Sequence, residues 1–216
     1  MFPRLLDAGA DHAVARYYEV QEEGVDRVAG LNADVVLLRP LDDLRFGYRI
    51  WSEQKTGLTL KTQTLGATGE VLEQAAFSEV ELNLPLEHVK PRLEMPDTQG
   101  WRHQRLEREP VDAAEQGWVL RQPLPGYESR HCYRRNLSDE RSRLQWVFSD
   151  GLNTVSLFLE PFRSEKYQQE RLVSMGATHA MSRQWPTPDG PWWVTVVGEV
   201  PQQTLDLLFG SLARLD

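Results

Sequence analysis

Apolar and polar residues alternate along most of the first 84 positions with a period of two, which is typical of β-strands buried on one face. Clusters of turn residues interrupt this alternation, and the first cluster predicts a turn at residues 22–24. The predicted strands cover residues 12–20, 26–30, 33–40, 46–50, 58–64 and 70–84. We interpret residues 13–84 as an antiparallel meander with one apolar face.

A sheet of this kind must bury its apolar face against another layer. Leu58 and Leu60 occupy alternate positions and are predicted to form part of that face. Before residue 85 the sequence predicts no amphipathic helix that could cover it. We therefore expect the cover to come from a segment outside this chain or from a partner.

Residues 85–114 show no lasting hydrophobic period and are rich in proline. A stretch of this length without a pattern is uncommon inside a compact domain, so we interpret it as a linker. Arg102, Arg105 and Arg108 lie close together here. Such a cluster is most often a solvated surface, and the alternative is a strip that docks a partner.

Residues 115–216 carry a second strand pattern. Asp150-Gly151 lies between two apolar runs and predicts a tight hairpin. Residues 164–175 are predicted to form a helix. A closing helix is predicted after Pro201, because apolar residues recur there at i, i+3, i+4 and i+7. This part of the chain is therefore predicted to be a small α+β domain with an antiparallel sheet.

The chain has 216 residues, of which 40% are hydrophobic, and a formal net charge of −8. This length predicts one or two domains. The negative charge argues against a nucleic-acid scaffold and against binding to anionic membranes through bulk charge. No apolar run reaches the length of a membrane-spanning helix, and no signal peptide is visible. Cys132 is the single cysteine, which excludes an intramolecular disulfide, and we expect it in the core.

The sequence contains none of the common motifs for catalysis or nucleotide binding. Its five histidines lack the spacing of zinc ligands, so neither a metal site nor a cofactor is predicted. Asp42 and Asp43 are adjacent and would point apart on a strand or turn, so they do not predict a pair of catalytic acids. A hydrolase that uses Asp150 or His131 is the weakest of the functional alternatives.

Several motifs resemble one family when they are taken in order along the chain. Residues 38–82 combine a proline-and-aspartate turn, an aromatic strand ending in Trp51, the turn TGL, and a glycine followed by LEQ. The stretches WVLRQPLPGYE, VFSDGLNTVSLFLE and VTVVGEVPQQT follow in the second domain. Together these stretches resemble the periplasmic sigma-E regulators of the RseB/MucB type.

The resemblance implies an α+β fold class in three parts. Residues 1–84 would be the C-terminal part of an open, lipoprotein-carrier-like (LolA/LolB-like) half-barrel, residues 85–114 the linker, and residues 115–216 the smaller C-terminal domain. Family members begin with a signal peptide and a further part of the first domain, and we expect both to be missing from this chain.

The resemblance also implies a function without catalysis and without a cofactor. The protein would bind the periplasmic region of a membrane anti-sigma factor of the RseA/MucA type and shield it from regulated proteolysis. Lipid or lipoprotein signals would release it, and the location would be periplasmic. A periplasmic lipid or lipoprotein carrier is the alternative, nucleic acid is not an expected partner, and a homo-oligomer is left open.

Candidate contact residues follow from the second domain and from the apolar face of the first. Trp192 and Trp193 point to opposite faces of one predicted strand, so one of them is expected to be exposed or at an interface. The alternative is that both cover the core. The candidate partner contacts are Ser149, Asp150, Trp192 and Trp193, and the candidate lipid-facing residues are Leu58 and Leu60.

Overall fold

The computed structural model describes residues 11–85, 87, 99–101, 108–136, 142–164 and 169–215. In these residues the regular structure is mostly antiparallel β-sheet, accompanied by helices α1 (Asp11–Tyr17) and α2 (Gln202–Ser211). The α+β class therefore holds in a form dominated by sheet. Within the same residues, no helix is both long enough and apolar enough to cross a membrane.

The first sheet is an antiparallel meander, as predicted, but it has five strands in place of the six predicted, and they pair in chain order. Its strands are β1 (Tyr18–Val28), β2 (Leu31–Pro40), β3 (Gly47–Glu53), β4 (Thr59–Leu65) and β5 (Val71–Ala76). Threonines, aromatic residues and β-branched residues favour such pleated surfaces, which explains why the local pattern was sufficient here.

Two predictions about the beginning of this sheet are wrong. Residues 12–17 belong to α1, and the strand begins only at Tyr18. The turn predicted at residues 22–24 is wrong, because β1 runs through them with a bulge between Glu22 and Gly24. The chain reverses instead at Ala29 and Gly30, both of which have a positive φ. Glycine serves a bulge and a turn equally well, so the sequence signal is the same for both.

The last strand is shorter than predicted, since β5 ends at Ala76. Val80 packs against a cluster formed by Ala33, Val35, Trp51 and Leu60. The apolar spacing after Ala76 therefore reflects a segment packed on the sheet rather than a continued strand.

Apolar residues lie on both faces of the first sheet, so the prediction of one apolar face is wrong. On the face opposite to Val80, a second cluster packs against α1 and against the second sheet. Its members are Tyr18, Leu38, Tyr48 and Ile50, with Val14, Tyr17, Val36 and Leu152 around them. Part of the cover that we expected from outside the chain is thus supplied by Leu152 of the second sheet and by α1.

The second sheet has the strand order β11-β12-β13-β10-β9-β8-β6. Its strands are β6 (Arg108–Pro110), β8 (Glu128–Asn136), β9 (Ser142–Ser149), β10 (Thr154–Pro161), β11 (Arg171–Met175), β12 (Thr178–Trp185) and β13 (Trp192–Gly198), and β7 (Trp118–Leu120) pairs with β14 (Leu212–Arg214). The predicted hairpin between β9 and β10 and the predicted closing helix α2 are confirmed. Leu157, Val196, Leu205 and Leu208 are fully buried between sheet and helix.

The helix predicted at residues 164–175 is wrong wherever the structure describes it: Ser164 lies in a turn, residues 169–170 have no regular structure, and residues 171–175 form β11. β11 pairs with β12 through a turn at Gly176, and Leu172, Val173 and Met175 are exposed. Gly176, which suggested the end of a helix, is thus the turn between two strands. Residues 165–168 lie outside the described residues.

Only part of the predicted linker can be compared with the structure. Arg108–Pro110 pair with β8 and belong to the second sheet, and Arg108 is exposed. Arg102 and Arg105 lie outside the described residues, so the prediction about the basic strip stays a prediction.

Candidate functional site

The two sheets meet at a cluster of polar side chains that we call the polar junction: Tyr18, Arg45, Tyr48, Asp150 and Asn153. Arg45 comes from the β2–β3 connection, and Asp150 and Asn153 come from the β9–β10 hairpin. All five are buried. Polar and charged groups tolerate burial only when they are bonded to one another, so their contacts fix how the sheets are joined.

The buried guanidinium of Arg45 is the cation of this junction. Its Nε lies 3.1 Å from Oδ1 of Asp42 and 3.7 Å from Oδ2 of Asp150. Its Nη2 donates to the carbonyl oxygen of Pro125 at 2.9 Å, which connects the first sheet to the segment before β8. One side chain of the first domain therefore contacts two segments of the second.

Aromatic rings and a glycine enclose the same guanidinium. Its central carbon lies 4.3 Å from the ring centroid of Tyr17 and 5.1 Å from that of Tyr127. A Cβ on Gly126 would lie 2.6 Å from Nη2 of Arg45 and 2.8 Å from the ring of Tyr17. The chain thus needs glycine at position 126 both for space and for its φ of 77°.

The β9–β10 hairpin presents Asp150 and Asn153 in a fixed arrangement. Oδ1 of Asp150 accepts hydrogen bonds from the backbone N–H groups of Leu152 at 2.9 Å and Asn153 at 2.6 Å. Nδ2 of Asn153 donates to the hydroxyl of Tyr18 at 2.6 Å, and the hydroxyl of Tyr48 donates to Oδ1 of Asn153. Asn153 therefore bridges two strands of the first sheet.

The phenols around this junction are held in their protonated form. Burial, followed by the nearby carboxylate of Asp150, raises the pKa of Tyr18, Tyr48 and Tyr127 far above the ordinary tyrosine value. As neutral groups they can donate hydrogen bonds, and Tyr127 donates to the carbonyl oxygen of Leu44 at 3.0 Å. Thr204 of α2 donates to the same oxygen at 2.6 Å, so α2 is also tied to the first domain.

A cleft of about 650 Å³ opens beside the polar junction, between the two sheets. One wall comes from β3, β4 and β5, with Tyr48, Thr62, Thr64, Glu73, Gln74 and Ala75. The other wall comes from the hairpin and from β12 and β13, with Gly151, Leu152, Asn153, Thr154, Thr178, Val197, Gly198 and Glu199. We call this space the interdomain cleft.

The lining of the interdomain cleft suits recognition better than catalysis. It offers hydroxyls, amides and the two carboxylates of Glu73 and Glu199, and its described residues include no histidine, cysteine or lysine. Asp150 is engaged in the junction, whereas His131 lines a separate cavity of about 570 Å³ in the second domain. The two residues that the hydrolase hypothesis offers as alternatives therefore lie in different places. Among the described residues, no cluster of three or more potential metal ligands occurs.

The structure places the four predicted partner-contact residues in or near the core. Oγ of Ser149 donates to the carbonyl oxygen of Asn153 at 2.7 Å, and Asp150 is only 3% exposed. Trp193 is buried and Trp192 is half-buried, so neither is exposed, and only the interface part of the expectation is left. Their direct contact with a partner stays a prediction.

Neighbouring rings explain why the two tryptophans are covered. Trp192 packs edge-to-face on Trp118, with 5.2 Å between the ring centroids, and Trp193 lies 6.0 Å from the ring of Phe162. The guanidinium of Arg214 lies 5.2 Å from the ring centroid of Trp192. The alternative in which both tryptophans cover the core of the second domain is therefore the better description.

The two predicted lipid-facing leucines differ in exposure. Leu60 is fully buried in the cluster under Val80, whereas Leu58 precedes β4 and is 38% exposed. Only Leu58 is accessible in this conformation, and lipid contact by either residue stays a prediction.

Sequence reasoning missed most of the residues that shape the junction and the cleft. Arg45 carried a weak signal, because a charged residue between Leu44 and Phe46 interrupts an apolar run. Tyr18, Asn153 and the two cleft carboxylates carried none, because their roles depend on contacts between distant segments.

Comparison with known proteins agrees with this architecture. Two family models match the chain, the MucB/RseB N-terminal domain over residues 1–95 and the MucB/RseB C-terminal domain over residues 112–213. The sigma factor AlgU regulatory protein MucB of Pseudomonas aeruginosa is 30% identical over 195 residues, which are 89% of this chain and 60% of that protein. The sigma-E factor regulatory protein RseB of Haemophilus influenzae is 37% identical over 57 residues, which are 26% of this chain and 18% of that protein. The chain thus spans about three fifths of the length of MucB.

Solved structures show the same fold. A complex structure of Pseudomonas aeruginosa MucA/MucB matches with a TM-score of 0.75 and 25% identity, over 94% of this chain and 67% of that chain. A crystal structure of MucB in complex with MucA(peri) matches with a TM-score of 0.75 and 24% identity, over 99% of this chain and 72% of that chain. Because the two family models together match most of the residues, in the order found in the sequence, the chain belongs to the MucB/RseB family.

Proposed function

We propose that this protein is a regulatory binding protein that holds the periplasmic region of a membrane anti-sigma factor of the MucA/RseA type. Membership of the MucB/RseB family is the observation that carries the proposal. The relatives are named as regulatory proteins of sigma factors, and MucB has been solved in complex with MucA. A periplasmic location is part of the same proposal.

The interdomain cleft is the site at which we propose that a segment of that partner binds. Its volume of about 650 Å³ lies within the range of roughly 300–1,000 Å³ that is usual for ligand sites. Its walls belong to two sheets whose relative position is held by the polar junction. A preformed site of this kind loses little conformational entropy when the ligand binds.

Shielding of the partner follows from mass action. A peptide bond in a bound segment is cleaved in proportion to the fraction of time that the segment is free. The protein would therefore act without chemistry of its own, which is in keeping with a cleft lined by hydroxyls, amides and carboxylates. Release by lipid or lipoprotein would raise the free fraction, and this finer prediction rests on the family resemblance.

Calorimetry with the periplasmic region of MucA tests the proposal directly. We expect saturable binding near one partner per chain, together with slower cleavage of the bound partner by an added protease. Full-length MucB serves as the positive control, because it shows that the MucA preparation is competent to bind. If MucB binds and this chain neither binds nor protects the partner, the proposed function is wrong.

A further inference from the structure

We propose that the interdomain cleft selects a basic side chain, a lysine or arginine, in the segment that it binds, and that Glu73 and Glu199 make this selection. The inference rests on the proposed function, because it names the chemistry of the partner at the same site. It commits to one occupant, an extended polypeptide segment with a cationic side chain.

Two carboxylates face the cleft from opposite walls. Glu73 belongs to β5 of the first sheet, and Glu199 follows β13 of the second. Both side chains are exposed, and among the described residues neither forms a hydrogen bond or an ion pair. Each therefore keeps its charge available for a ligand.

Both carboxylates also act on one neighbouring phenol, that of Tyr48. After burial and Asp150, the carboxylates of Glu199 and Glu73 are the next causes that raise the pKa of Tyr48. Tyr48 lines the cleft and forms the boundary with the polar junction. A cation at this end of the cleft would therefore interact with both carboxylates.

No cation of the protein neutralises this charge within the described lining. The lining includes neither lysine nor arginine. Arg45 lies nearby in the polar junction, but its guanidinium is buried and already faces Asp42 and Asp150. A bound segment with a cationic side chain would complete the charge balance of the site.

Thr64 gives an independent sign that a polar ligand belongs here. Its side chain is only 8% exposed and lines the cleft, yet its hydroxyl forms no hydrogen bond with any described residue. The hydroxyl opens into the cleft, so its hydrogen-bonding capacity is available to a partner there. A backbone N–H or C=O of a bound segment would supply one beside the two carboxylates.

A metal ion is a poorer occupant than a basic side chain. Cations such as Ca²⁺ require six to eight oxygen ligands at short distance. Within the part of the chain that the structure describes, no group of three carboxylates, histidines or cysteines converges. An ammonium or guanidinium group needs only the two carboxylates and a few hydrogen-bond acceptors.

Calorimetry with the MucA periplasmic region and the full chain tests this inference. We expect the double variant Glu73→Gln/Glu199→Gln to bind about tenfold more weakly at low salt, with a flatter dependence of affinity on salt concentration. The matched control Glu79→Gln/Glu81→Gln changes the net charge equally, at two exposed residues outside the cleft lining, and should bind as the wild type does.

A scan of the partner completes the test. Each lysine and arginine of the MucA region is replaced by glutamine, and one replacement should cause the same loss as the double variant. Combined with that variant, it should cause no further loss, because the two changes remove one interaction. Equal binding by wild type and double variant would overturn the inference and leave the proposed function intact, and so would an equal loss in the control. Failure of the wild type itself to bind would instead overturn the proposed function.

Discussion

The guanidinium of Arg45 and the carboxylate of Asp150 face each other across the boundary between the two sheets, with Nε and Oδ2 3.7 Å apart and no exposed surface on either side chain. A buried charge without a partner costs far more than an exposed one. Any movement that separates the two sheets at this point would leave Asp150 without its cation and Arg45 with only the partly exposed Asp42. The pair therefore holds the walls of the interdomain cleft at a fixed spacing.

Asp150→Ala should lower the free energy of unfolding by about 3–5 kcal/mol, the usual result of breaking a buried ion pair from one side. The change leaves Arg45 with the partly exposed Asp42 and removes the acceptor of two backbone N–H groups in the hairpin. Urea unfolding followed by tryptophan fluorescence measures the loss.

Arg130→Ala is the control for this prediction. It breaks a surface pair with Glu128, whose side chain is 76% exposed, and should cost less than about 1 kcal/mol. The double variant Arg45→Ala/Asp150→Ala should lose less than the sum of its single changes, because neither buried charge of the pair is left without its partner. If Asp150→Ala were as mild as the control, the pair would not hold the sheets together.

The buried phenols predict a loss of stability at high pH. Tyr18, Tyr48 and Tyr127 have their pKa raised by burial, so they stay protonated in the folded state while the unfolded chain ionises near pH 10. Their contribution to the stability of the folded state is fully present below about pH 10 and is lost as the pH rises further. Above pH 10, each such group should add about 1.4 kcal/mol per pH unit to the decline of the free energy of unfolding.

Tyr48→Phe isolates one of these contributions. It should lower stability at pH 8 by about 1 kcal/mol through the lost hydrogen bond to Asn153, and it should make the decline above pH 10 less steep than in the wild type. Tyr133→Phe removes a hydroxyl from a half-buried tyrosine of β8 and serves as the control, which should keep the pH profile of the wild type. Identical pH profiles for Tyr48→Phe and the wild type would contradict the prediction.

Comparison of the predicted strands with those of the structure shows which features a local sequence pattern can reveal. Period-two alternation with threonines and aromatic residues located β2, β3 and β4, and Asp150-Gly151 located a hairpin, because these signals lie within a few residues. Gly24 and Gly176 were misread, because a bulge glycine resembles a turn glycine and a glycine between two strands resembles one that ends a helix. Tertiary context decides such cases.

The polar junction shows what a local pattern cannot reveal. Tyr18 and Asn153 are hydrogen-bonded although they are far apart in the chain, and each looks ordinary in its own segment. Asp150 was named as a candidate partner contact in a predicted hairpin turn. The contact of this hairpin with the first sheet buries it instead, so the surface available to a partner becomes the cleft beside the hairpin.

Cys132 should react slowly with thiol reagents in the folded protein. Burial, with a smaller contribution from the carboxylate of Asp112, raises the pKa of its thiol to about 11. Only the thiolate reacts, so labelling at pH 8 should be more than about a hundredfold slower than that of an unfolded cysteine. The rate should rise roughly tenfold per pH unit between pH 8 and pH 10.

Because Cys132 is the single cysteine, one reagent reports on one site. Labelling in urea should restore the ordinary rate and serves as the control for reagent activity. A fast reaction at pH 8 with little dependence on pH would show that the thiol is neither buried nor raised in pKa.

Substitutions at Leu58 and Leu60 distinguish a role in structural packing from a role in lipid binding. Leu60→Asp places a carboxylate in a fully buried site and should destabilise the protein by several kcal/mol, whereas Leu58→Asp should cost less than about 1 kcal/mol. If the predicted lipid-facing wall includes Leu58, Leu58→Asp should also weaken the binding of a fluorescent fatty-acyl probe several-fold.

The matched control is Leu41→Asp, since Leu41 is 62% exposed and lies on the β2–β3 connection rather than beside β4. The two exposed variants change hydrophobicity and charge equally, so a nonspecific effect of charge on probe binding would appear in both. A loss confined to Leu58→Asp would support lipid contact at this site. Equal affinities for all three proteins would show that Leu58 does not contact the acyl chain, and the buried Leu60 could do so only after the segment around Val80 moves away from the sheet.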